Sequence, residues 1–156
     1  MTAEPDRTTY RPEKPLLVWD GQCGFCKYWV TRWKKITGDA VRYVPYQDIH
    51  EEIPDIPKEA FQKAVRLILS DGRVISGAGA AYRTLEYSKT WNRLYGYYQK
   101  SQFFRTLSDL GYSYVADHRP FMYNLTQAFF GEDPNKPKPY WVFYLVGIIV
   151  LILVFV

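Results

Sequence analysis

The chain has 156 residues, room for one globular domain with its own core and some further length at the ends. It is 47% hydrophobic and 18% aromatic, with 14 Tyr, 9 Phe and 5 Trp, which excludes a disordered protein. The net charge of +4 is spread without a dense Lys/Arg run. No nucleic-acid partner is therefore expected, and a mild basic balance suits anionic lipid headgroups better.

Residues 1–15 are polar, carry Pro5, Pro12 and Pro15, and lack an apolar stretch. They are predicted to be a flexible leader, neither a secretory signal nor a lipoprotein leader. Leu16-Leu17-Val18-Trp19 is a short continuous apolar run, the pattern of a central strand buried on both faces. Asp20-Gly21 breaks it. From Cys23 onward, Phe25, Trp29, Val30, Trp33 and Ile36 recur at helical spacing, and Gly38 supplies a stop. Val41-Arg42-Tyr43-Val44 predicts a second strand ended by Pro45, and residues 46–58 a loop with one helical turn. A short turn of helix is expected over 59–63. Residues 65–69 and 74–76 form a hairpin around Ser70-Asp71-Gly72-Arg73, and a helix follows from Gly77 through Leu85. Two strands joined by a helix pair in parallel, and the hairpin adds antiparallel neighbours. That order is thioredoxin-like, a mixed α/β sheet with flanking helices.

Residues 89–131 read as a helical extension packed on the domain formed by 16–88. One helix is expected through Leu94, Tyr97, Tyr98, Phe104, Leu107 and Leu110, with a weak point near Gly96. A second is expected through Tyr114, Val115, Phe121, Met122, Leu125 and Phe129, interrupted near Pro120. Residues 132–139 are a linker by composition. Residues 140–156 contain no charge, Pro, Asn or Gln, and predict a single transmembrane tail anchor with Tyr140, Trp141 and Tyr144 at the interface. Lys136 and Lys138 precede it, which would place the globular part in the cytoplasm.

The two cysteines, Cys23 and Cys26, stand as Cys-x-x-Cys where a strand turns into a helix. Thiol–disulfide chemistry uses this arrangement, because a helix N-terminus favours thiolate. Cys23 is the expected nucleophile and Cys26 the shielded, resolving thiol, with modest positive potential from Lys27. Asp20 is a candidate proton acceptor for the resolving thiol, or a residue that hydrogen-bonds the turn. Zinc would need four ligands, and His50 and His118 are far apart with no paired spacing, so neither metal nor organic cofactor is expected. Gly77-Ala78-Gly79 lacks the third glycine of a dinucleotide loop, and close packing explains it better.

The string Leu17-Val18-Trp19-Asp20-Gly21-Gln22-Cys23-Gly24-Phe25-Cys26 resembles the opening of the DCC family of predicted thiol–disulfide oxidoreductases. Ser70-Asp71-Gly72-Arg73 with Ser76-Gly77-Ala78-Gly79-Ala80, and Tyr114-Val115-Ala116-Asp117-His118-Arg119, resemble later segments of the same family. The resemblance covers about residues 16–120 and implies a thioredoxin-like fold and disulfide exchange. Gly79 stands where the family usually has an acidic residue, and Ala64 precedes Val65 where thioredoxins proper carry a proline. The expected function is a membrane-anchored oxidoreductase acting on a protein or small-molecule thiol or disulfide. The alternative is a non-catalytic accessory or assembly subunit of a membrane complex.

Overall fold

The computed structural model describes residues 5–155, with side chains described as far as residue 149. Its centre is a four-stranded mixed sheet of β1 (Leu16–Trp19), β2 (Arg42–Pro45), β3 (Arg66–Ile68) and β4 (Val74–Ser76), in the order β2-β1-β3-β4. β1 runs parallel to β2, with Leu17 opposite Tyr43, and antiparallel to β3, with Leu17 opposite Leu67. β3 and β4 are the antiparallel hairpin. These pairings are the ones the sequence order requires.

Every residue of β1 is buried, and the strand feeds two cores. Leu17 and Trp19 point with Val30, Tyr43, Leu67 and Ala80 to the side covered by α1 (Gly24–Thr37) and α3 (Gly77–Leu85). Leu16 and Val18 point the other way, to Tyr46, Ile49, Ile53, Ile56 and Phe61. The second group comes from residues 46–61, which hold 3₁₀ turns at Tyr46–Asp48 and His50–Glu52, the residues beside them, and the start of α2 (Lys58–Lys63). Period-two alternation in a strand thus builds three layers.

The helical extension divides differently from the expectation. α4 (Leu94–Lys100) contains Gly96, and the break falls at Ser101, whose hydroxyl accepts the Phe104 N–H at 3.2 Å and caps α5 (Gln102–Asp117). A serine cap satisfies an orphan donor, whereas a single glycine only weakens a helix. Tyr114 and Val115 belong to α5, and α6 (Arg119–Phe130) begins with Pro120 in its first turn, where a missing N–H costs nothing.

The expected leader is also more structured over its described part. Asp6 and Thr8 hydrogen-bond Val74 and Gly72 along the free edge of β4, at 2.7 and 2.9 Å. The Thr8 hydroxyl donates to Asp55 at 2.6 Å, and Tyr10 packs on the second core. Residues 1–4 lie outside the described part.

The transmembrane span expected over 140–156 is not supported. α7 (Tyr140–Phe155) is a helix of 16 residues, and among the described residues no helix is long and apolar enough to cross a membrane. At ~1.5 Å per residue such a helix reaches about 24 Å, short of a hydrocarbon core of about 30 Å. α7 touches α6 through Phe129 and Tyr144, whose ring centroids are 5.8 Å apart.

Asp55 accepts from the Thr8 hydroxyl and from the Thr9 backbone and hydroxyl, so it pins the N-terminal segment. Asp55→Ala is expected to lower stability by about 1–2 kcal/mol in urea unfolding and to deprotect the Thr8 amide in hydrogen exchange.

Candidate active site

β1 is a fully buried strand, and the turn that follows it is held by Asp20. The Asp20 carbonyl accepts the Cys23 N–H at 3.2 Å. Its Oδ1 accepts the Gln22 N–H at 3.1 Å and Gln47 Nε2 at 2.9 Å. Gln47 in turn accepts the Gly21 N–H through Oε1 at 3.1 Å. A Cβ on Gly21 would stand 2.9 Å from the Pro45 side chain, so the turn passes β2 too closely for any other residue.

That turn delivers Cys23 to the N-cap of α1. Its Sγ accepts the Cys26 N–H at 3.1 Å, the bond a capping serine would make. Both cysteines are free thiols, Cys23 half-buried and Cys26 buried among Trp19, Val30 and Val65. The thiol–thiol hydrogen bond with Cys26, helped by that backbone N–H and the charge of Arg119, lowers the pKa of Cys23 from 9.0 to about 6 against the opposing effect of burial. The same bond, then burial and the charge of Cys23, push Cys26 well above the ordinary thiol range. One proton is shared unequally: Cys23 is the thiolate and Cys26 the donor.

The cation in this field is Arg119, at the start of α6. It sits 3.9 Å from Asp20 Oδ2 and donates to the Gln62 and Lys63 carbonyls at 2.8 and 2.5 Å. Lys27, proposed from sequence for this part, is exposed on α1. The neighbouring backbone is clamped a second time by Tyr112 of α5, whose hydroxyl accepts the Val65 N–H at 3.1 Å. Burial raises the Tyr112 pKa, so the phenol stays neutral there. Ala64 and Val65, at the entry to β3, are therefore flanked by two side chains from the helical extension. Tyr123 of α6 lies over the dithiol's spacer, where a Cβ on Gly24 would meet its ring at 3.4 Å.

The structure thus places Asp20, Cys23 and Cys26 on one turn and the helix start that follows it. Arg119, Tyr112, Gln47 and Tyr123 join them unforeseen, and only Arg119 had a signal, in the segment resembling the DCC family. Among the described residues no group of three or more His, Cys, Asp or Glu could hold a metal ion.

A family model described as DCC1-like thiol-disulfide oxidoreductase matches residues 17–125. The chain belongs to that family. The matched stretch of this DCC1-like protein includes the dithiol and the Arg119 and Tyr112 clamps, so it spans both the sheet and most of the helical extension. No curated protein and no solved structure is similar enough to count as a match.

Beside Cys26 the DCC1-like protein also has an apolar groove of about 720 Å³ between α1, α3 and α5. Phe25, Trp29, Trp33, Tyr82 and Phe104 supply much of its wall, and Cys26 and Arg119 also line it.

The order of causes for Cys23 predicts an order of effects. Cys26→Ala, which removes the largest favourable contribution, is expected to raise the Cys23 pKa more than Arg119→Gln does. Both midpoints should move up from about 6 in iodoacetamide alkylation against pH, with Cys26→Ala the larger.

Proposed function

We propose that the protein carries out disulfide exchange with Cys23 as the attacking thiolate and Cys26 as the resolving thiol. The observation that carries this is the Cys23 Sγ at the N-cap of α1, accepting the Cys26 N–H at 3.1 Å. The family match supports the same class of reaction. Cys23 attacks one sulfur of a substrate disulfide; that bond breaks, and the leaving thiolate takes up a proton. Cys26 then gives up its proton and attacks Cys23 Sγ, forming the Cys23–Cys26 disulfide and releasing the second substrate thiol. Two electrons pass from the dithiol to the substrate, and the reverse sequence runs when the substrate is the dithiol.

Asp20 is assigned to holding the turn and Arg119, since its carboxylate accepts from Gln22 and Gln47 and faces Arg119. Its negative charge opposes ionisation of both thiols, and Arg119 offsets it at Cys23.

The pH dependence follows in sign. The folded pKa of Cys23 is depressed from 9.0 to about 6, so between those values the native state binds fewer protons there than the unfolded chain. Stability of the reduced form therefore rises with pH across this window, and the gain is lost as pH falls through about 6. Cys23→Ser is expected to flatten that slope in urea unfolding. In Cys26→Ser, an intermolecular disulfide to Cys23 should accumulate on non-reducing gels after addition of oxidised substrate, and Cys23→Ser should show none.

The tail is proposed to associate with a membrane, with the dithiol on the cytoplasmic side. Trp141, Val142, Phe143, Leu145, Val146 and Ile149 are all exposed around α7, an apolar surface on every side that suits lipid. Three prolines at 134, 137 and 139 separate its sequence from that of α6, against which its start packs, through Tyr144 on Phe129. The full chain is expected to float with phospholipid vesicles, and Leu145→Lys with Ile149→Lys to stay at the bottom of the gradient.

A further inference from the structure

The groove beside Cys26 is left open by the chain's own packing. α5 has no buried residue along its 16 positions. Its inner side, with Phe104, Tyr112 and Val115, faces the groove and does not fill it. A volume of about 720 Å³ lies within the range of small-molecule sites, ~300–1,000 Å³. The wall is aromatic and aliphatic, and its one charged side chain, Arg119, is committed to Asp20 and the Gln62 and Lys63 carbonyls. An anionic or cationic substituent would find no free partner there and would lose its hydration.

We propose that this groove seats the neutral, apolar arm of the disulfide substrate, so that the protein selects small lipophilic disulfides. The proposal rests on the disulfide-exchange reading and names its substrate class. Cys26 is part of the groove wall, and Cys23 Sγ accepts the Cys26 N–H one helical turn earlier. Cys23 lies outside the wall but 3.1 Å from the Cys26 amide, so the arm on the sulfur that meets Cys23 reaches the groove past Cys26, while the other sulfur departs with its own arm. Leu107 continues the groove onto an exposed apolar row of α5 with Phe103, Leu110 and Tyr114, which gives a lipophilic molecule an apolar approach. The chemical step is unchanged: Cys23–S forms, the substrate S–S breaks, and the departing thiolate is protonated.

The test compares two neutral disulfides, bis(2-hydroxyethyl) disulfide and dibutyl disulfide, oxidising the reduced full chain. Trp29 and Trp33 in the groove wall report the reaction by fluorescence. Dibutyl disulfide is expected to react at least ~10-fold faster, since each buried methylene is worth roughly a factor of four. Gly111 lines the groove, and a Cβ there meets open space. Gly111→Phe should bring the two rates together, and as a helix-interior substitution of glycine it should leave the chain folded. Dibutyl sulfide, which has no bond to exchange, should quench the tryptophans of the wild type and not those of Gly111→Phe. Equal rates in the wild type, or no binding of the sulfide, would overturn the proposal. So would a dimer held through this face, seen in sedimentation and abolished by Gly111→Phe in the absence of sulfide binding. Sulfide binding without any reaction of either disulfide would leave the groove in place and remove the exchange reading instead.

Discussion

A strand buried on both faces and paired on both edges holds its ends in place, and the turn that leaves β1 carries the hydrogen bonds on which the dithiol depends. Asp20 receives Cys23, Gln22 and Gln47 on one short turn, and Arg119 faces it from α6. Because β1 is fixed by both cores and by hydrogen bonds to β2 and β3, the turn cannot drift, and the first residue of α1 is placed with it. The sulfur at that place does the work of a capping oxygen. The Cys26 thiol favours ionisation of Cys23 most, and the backbone N–H that starts the helix adds to it, so fold and reactivity meet at one sulfur.

Burial does the rest of the sorting. Cys26 lies one turn along, inside the core beside Trp19 and Val65, where charge is disfavoured. Two chemically identical side chains three residues apart are thus shifted in opposite directions, first by the hydrogen bond between them and then by their unequal burial. The helical extension takes part in this, through Arg119 above the turn and Tyr112 at the start of β3. The proposed catalytic centre therefore draws on the extension as much as on the sheet, consistent with a family match that runs through to residue 125.

Much of this was legible in the sequence wherever the determining interactions are local. The apolar run 16–19, the Asp-Gly break and the helical spacing of Phe25, Trp29, Val30 and Trp33 specify β1, the turn and α1 without reference to anything distant. The hairpin around Asp71-Gly72 is local in the same sense. Gln47, Tyr112 and Tyr123 escaped because nothing near them in the chain marks them; each acts on backbone or side chains that only folding brings close. Ser101 is a different case, since a serine cap leaves a sequence signal that outweighs a lone glycine at 96 in ending a helix. The apolar tail has the composition of a span, but its 16-residue helix is too short for one.

The segment that precedes β1 has a consequence beyond its few hydrogen bonds. β4 is the last strand of the sheet, and Asp6, Arg7 and Thr8 lie along its outer edge. An uncovered edge offers a row of backbone donors and acceptors to any extended chain, including a sister molecule. By occupying that row, the N-terminal segment makes β4 unavailable as a template for strand addition. Solubility of this small sheet is thereby entrusted to residues that a truncation at the start of β1 would discard.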